Sequence, residues 1–187
     1  NVIKFNETRV NGIDSLLSLK KLDIRDTSVK KNIYYYGFLY AGYFLDFISN
    51  DATIEQMKTS GSLRLIKKQN IADSILKYEY INKVIKSNED VLRFEYQKTL
   101  EMAAKLFDIT IYNNSSIRQA FLDHNINAVN ADPLGDINTS DPPLLNEYYS
   151  YVTEQSLSLK YYLGLLVTQL NYAINLVPFL KKEYNLQ

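Results

Sequence analysis

The sequence predicts an all-α protein, an elongated antiparallel helical bundle with two long helices and shorter packing helices. Three observations carry that expectation. Along Leu145, Tyr149, Val152, Ser156, Leu159, Leu163, Leu166, Leu170, Ala173, Val177, Leu180 and Tyr184 the steps alternate four and three, and Ser156 is the single polar member. A seam repeating every ~3.5 residues keeps one helix face on a partner helix. A second stripe runs through Ile71, Ile75, Tyr78, Ile81, Ile85, Leu92, Tyr96, Leu100, Ala103 and Phe107. It resumes in phase at Leu92 after the polar run Ser87-Asn88-Glu89-Asp90, so residues 71–107 read as one continuous helix. Six Gly and four Pro in 187 residues disfavour β-sandwiches and Gly-rich phosphate loops.

Taken in order, residues 2–22 read as a first helix, with a bend expected at Gly12 because Gly costs about 1 kcal/mol against Ala inside a helix. Asp26-Thr27-Ser28 supplies capping chemistry for a second helix over 28–48, apolar nearly all round and therefore central. Thr53 and Gln56 form a candidate capping box for a short helix, and Gly61 suits the left-handed residue that closes it. Residues 116–122 read as another short helix. Residues 123–143, rich in Asn, Asp and Pro, read as a long acidic loop of the kind that tends to be functional or disordered. The terminal helix spans 145–184, with Pro178 expected to kink its last turns. The whole chain, 1–187, reads as a single helical domain.

Composition narrows the chemistry. There are 21 basic and 21 acidic residues, yet no Lys or Arg falls between Arg118 and Lys160, where six acids do. The Lys doublets are scattered and the net charge is zero, so no basic footprint for nucleic acid exists. With no Cys there is no disulfide framework, zinc thiolate site or thiol nucleophile. The single His124 excludes a di-iron centre with a Glu-x-x-His motif on each of two helices and excludes bis-His haem. Asp132, Asp136, Asn138 and Asp141 are oxygen donors, but their spacing departs from the EF-hand pattern. The reading therefore assigns no catalytic residue, no metal and no cofactor. No segment reads as membrane-spanning: residues 33–48 are too short and contain Asp46, and 158–180 are interrupted by Lys160, Gln169, Asn171 and Asn175.

What remains as a candidate site is aromatic. Sixteen Tyr and eight Phe, with no Trp, cluster around Tyr34, Tyr35 and Tyr36 and again around Tyr148 and Tyr149. Phenols of this kind form core and rim, or a partner surface or small-ligand cleft between helices. Tyr34, Tyr35, Tyr36, Tyr148 and Tyr149 are the candidate ligand- or partner-binding residues.

Phe5-Asn6-Glu7-Thr8-Arg9 and the stretch from Thr59-Ser60-Gly61-Ser62 through Leu63, Leu65 and Ile66 to Tyr78 carry a resemblance, as does the basic end Leu180-Lys181-Lys182-Glu183-Tyr184. In these patches the chain resembles a Bacteroidetes family of N-terminally membrane-anchored, all-helical proteins, a domain of unknown function. The family carries Trp where Phe5 stands. The resemblance implies a membrane helix upstream of Asn1, residues 1–24 as a juxtamembrane helix, and a place on the extracytoplasmic (periplasmic) side of the inner membrane. The expected function is a non-enzymatic, tethered domain that binds a protein partner or senses a small ligand. The alternatives are a carboxylate-based, cation-assisted enzyme using Asp132, Asp136 and Asp141, and a structural subunit that pairs through its long helices.

Overall fold

The computed structural model describes residues 2–42, 46–49, 52–129, 134–135, 137 and 142–184. Of these, 85% are helical and none is in a strand, so the all-α bundle is the fold. The α-helices are α1 (Val2–Ser18), α2 (Thr27–Tyr36), α3 (Ala52–Thr59), α4 (Gln69–Leu106), α5 (Ser115–Leu122) and α6 (Pro142–Tyr184). Short 3-10 turns at Leu19–Lys21, Ser62–Leu65, Ile109–Asn113 and Ile126–Ala128 supplement them. The chain folds as two compact units, Asn1–Leu45 with Val91–Lys160, and Asp46–Asp90 with Tyr161–Gln187.

In the first unit, α1 buries Asn6, Arg9, Gly12, Ile13 and Leu16 along one face. It does not break at Gly12. The glycine is needed for space: a Cβ there would stand 2.1 Å from Cγ of Tyr40, so the ring of Tyr40 lies directly on the α1 backbone. Asp26 caps α2 by accepting the backbone N–H groups of Ser28 at 2.7 Å and Val29 at 3.1 Å. The expected single helix over 28–48 is not formed. After Tyr36 the chain widens into a π turn at Gly37–Ala41, and 46–49 are not helical. The two glycines that flank this turn, Gly37 and Gly42, weaken the helix that the apolar pattern alone suggested.

The acidic stretch is not merely a solvated loop. Val129, Leu134 and Ile137 are buried in it, and it carries the 3-10 turn Ile126–Ala128. Asp132, Asp136, Asn138 and Asp141, the candidate cation donors, lie outside the described residues.

In the second unit, α4 and α6 run antiparallel, held by polar side chains at heptad spacing. Tyr162 donates to Glu89 Oε1 at 2.6 Å, Gln169 Nε2 donates to Asn82 Oδ1, and Lys68 Nζ pairs with Glu183 at 2.6 Å. The step of seven from Glu89 to Asn82 in α4, and of fourteen on to Lys68 just before it, is matched by equal steps in the opposite direction along α6. The Glu89 oxygen also accepts the Phe47 N–H at 2.6 Å, and Tyr172 donates to Ser74 O at 3.2 Å. α3 is tied on through Lys58, which meets the buried carboxylate of Glu79, itself also paired with Lys83 at 2.8 Å.

This ladder shifts the expected seam. Val152, Leu159 and Leu166 are buried as expected, but in the second unit the remaining inward positions are Tyr162 and Gln169 rather than Leu163 and Leu170. The reason is chemical: α4 presents Glu89 and Asn82, which need hydrogen-bonding partners once buried. Leu170, Val177 and Tyr184 are consequently left about half exposed. α6 continues through Pro178 to Tyr184. Pro143–Tyr184 also holds a window apolar and long enough to cross a membrane by composition, and only 11% of it is buried in the protein. The expectation that 158–180 forms a buried helix therefore does not hold for that window.

The Glu79 carboxyl is held below the usual carboxylate range by hydrogen bonds first from Lys58 and then from Lys83. Its folded pKa lies below the unfolded one, so the stabilisation is complete above the unfolded pKa and disappears as pH falls through the folded value. Glu79→Gln is expected to cost about 1 kcal/mol at neutral pH, since both lysines keep much of their surface in water. Urea unfolding from neutrality down to about pH 3 should show the gap to wild type closing on acidification.

Candidate functional site: an apolar cavity in the first unit

α2 gives way to the π turn Gly37–Ala41, whose last carbonyls are the kind a helix end leaves for outside donors. Two buried side chains meet them. Arg9 Nε of α1 donates to Tyr40 O at 3.3 Å, and Gln155 Nε2 of α6 donates to Ala41 O at 3.3 Å. Arg9 and Gln155 are each 1% exposed, so both donors act away from solvent. The turn is thereby fixed between α1 and α6 as a wide, glycine-flanked wall.

That wall borders a cavity of about 210 Å³. Phe38 of the π turn, Ala103 of α4, Phe107, Tyr112 and Tyr148 of α6 make its sides, with Gly37 between the two phenols. Leu100 and Ile109, each about two-fifths exposed, also border it and mark the rim that meets water. The rings are set by edge-to-face packing, Phe107 on Tyr148 at 5.1 Å and Tyr34 on Phe107 at 5.7 Å, while Phe38 tilts against Tyr112 at 4.8 Å.

The five candidate tyrosines divide. Tyr148 lines the cavity, in contact distance of the space beside Gly37. Tyr34 is a structural hub: its hydroxyl accepts the Asp108 N–H at 3.1 Å and donates to Gly135 O at 3.2 Å, and its own carbonyl accepts Tyr112 O–H at 3.1 Å. Tyr35 is buried, and its hydroxyl lies 2.6 Å from Nδ1 of His124, a residue in the left-handed backbone region at φ 56°. Tyr36 is half-buried against Tyr35 and Tyr40. Tyr149 is buried, with Lys20 Nζ 5.8 Å from its ring centre. Only Tyr148 of the five reaches the cavity.

Among the described residues the cavity lining contains no Asp, Glu, His, Lys or Arg. Burial pushes the phenols of Tyr112 and Tyr148 well above their ordinary range, so both stay neutral and act as hydrogen-bonding groups. The hydroxyl of Thr99 is already used, donating to Glu95 O at 3.0 Å. Among the described residues no group of three or more metal-ligating side chains converges.

The sequence reading did not identify Gly37, Phe38, Ala41, Ala103, Phe107 and Tyr112 as site residues. The signal available was the pair Gly37 and Gly42 inside a run of rings, since a glycine in a helical pattern often marks close packing or a break.

No protein-family model, no curated protein and no solved structure matches the chain.

The position of Tyr40 on α1 can be tested through Gly12. Ala there gains about 1 kcal/mol of helix propensity but must displace the Tyr40 ring, a cost of about 1–3 kcal/mol, so Gly12→Ala should lower Tm. In a Tyr40→Ala background the same change should become stabilising, which thermal melts of the four proteins would read as coupling between the sites.

Proposed function

We propose that the first unit is a non-catalytic binding module for a small, uncharged, apolar ligand, so that the chain works as a ligand-sensing domain. The observation that supports this reading is the cavity itself, in a unit whose other rings pack closely on one another, edge to face or tilted. A void of this size costs roughly a few kcal/mol in lost contacts when nothing fills it. A cavity of about 150 Å³ lined by aliphatic and aromatic groups is enough to take up benzene. The space beside Gly37 and Ala103 is thus of single-ring size, and its lining favours a neutral occupant. The described lining offers no base or charged group, which favours binding over turnover.

Benzene is the simplest probe. A ligand that binds only the folded state raises Tm in a dose-dependent way. Wild type should show such a rise, and Ala103→Phe, which fills the space, should not. An Ala103→Phe protein that folds and still responds as wild type does, or a wild type that does not respond at all, would contradict the reading.

A second reading rests on α6. Leu163, Val167, Leu170, Ile174, Val177 and Tyr184 repeat at steps of four, three, four, three and seven, and five of the six are more than a third exposed. Residues 161–180 carry no charge and are bounded by Lys160 and Lys181. This is the spacing of a helix-pairing seam, and it fits a structural subunit that pairs with a second copy of itself. Light scattering should then show a dimer forming with concentration and lost in Ile174→Glu. A wild-type monomer at the highest concentrations reached would remove this reading.

A further inference from the structure

Tyr148 is 1% exposed, and burial is the leading influence on its phenol. Among the described residues its hydroxyl makes no hydrogen bond, although it borders the cavity. A side chain at position 37 would place its Cβ 3.7 Å from the Tyr148 oxygen and 4.0 Å from the Tyr112 oxygen. Gly37 therefore leaves open a place in the cavity where two phenolic oxygens converge.

The two oxygens are not equivalent. Tyr112 spends its proton on Tyr34 O at 3.1 Å, which leaves its oxygen as an acceptor. Tyr148 keeps both its proton and its lone pairs for whatever occupies the cavity. Together they offer one donor and at least one acceptor at a single point, and apart from Thr99 the other described side chains of the lining are apolar. A group that both accepts and donates at one atom is a hydroxyl. A carboxylate could accept from Tyr148 but would face the lone pairs of Tyr112, and its charge would have no partner in the lining. An ammonium would meet the same uncompensated burial.

We infer that the cavity selects a neutral single-ring phenol or alcohol, its hydroxyl held between Tyr148 and Tyr112 beside Gly37. This rests on the binding reading above and deepens it. The Phe107 and Phe38 rings take the apolar body, and the Tyr148 phenol reads the polar end.

Calorimetric titration with phenol, benzene and benzoate separates the two claims. Wild type should bind phenol about tenfold more tightly than benzene, because a site with a committed hydrogen-bonding group penalises the ligand that lacks its counterpart. Tyr148→Phe should erase that preference and keep its affinity for benzene, which also reports that the variant is folded. Gly37→Ala, whose new methyl sits between the two phenols at ordinary contact distance, should weaken phenol more than benzene and serves if Tyr148→Phe does not fold. Benzoate should not compete with phenol. Equal binding of phenol and benzene, an unchanged preference in these variants, or benzoate binding as well as phenol would overturn the inference and leave the binding reading standing. Failure of benzene and phenol alike would overturn both.

Discussion

A helix that ends inside a protein has carbonyls to satisfy, and the first unit is organised around that requirement. At the end of the π turn at Gly37–Ala41, Tyr40 O and Ala41 O each accept a hydrogen bond from a side chain of another helix. Arg9 and Gln155 are the donors, from α1 and α6, both nearly inaccessible. An unmet buried carbonyl costs about 1–3 kcal/mol, so the two contacts help to hold the turn where it is. Other features follow from it. Gly12 lets the Tyr40 ring approach α1, Tyr34 ties the start of the turn to Asp108 and Gly135, and the rings that line the turn cannot close over Gly37.

The second unit meets the same requirement differently. There the buried polar groups lie between helices, and they satisfy one another: Tyr162 with Glu89, Gln169 with Asn82. Such pairs add modestly to stability and more to register, because a slip of one residue would leave a carboxylate and an amide buried without partners. The apolar residues displaced from that seam, Leu170 and Val177 among them, are turned toward the outside of α6. The unit thus combines a polar interior contact with an apolar outer stripe.

How much of this was legible follows from where the information lies. The continuity of α4 was readable because apolar phase is preserved from Ile85 to Leu92 in a single strip of sequence. Asp26 as a cap and Gly61 as a left-handed closing residue were readable because both effects are local. The inward face of α6 was not, since Leu163 is more apolar than Tyr162, and only the presence of Glu89 opposite makes the tyrosine the better choice. The helix over 28–48 was overextended for a similar reason. Its apolar residues suggested a buried helix, while the donors that permit a π turn sit at positions 9 and 155. The aromatic clusters were found, yet Tyr34 and Tyr35 turned out to hold the fold together, and of the five candidate tyrosines Tyr148 alone lines the cavity. Which ring borders a void depends on packing across four helices, and no local pattern encodes it.

The central claim is that Gln155 and Arg9 hold the π turn in place, and with it the cavity wall. Amide hydrogen exchange across residues 37–41 tests this most directly, comparing wild type with Gln155→Leu, which keeps the bulk and removes the donor to Ala41 O. The account requires the amides of that turn to exchange about tenfold faster in the variant, a loss of roughly 1.4 kcal/mol in local stability, while those of α4 in the second unit are unaffected. Unchanged exchange over 37–41 would contradict it.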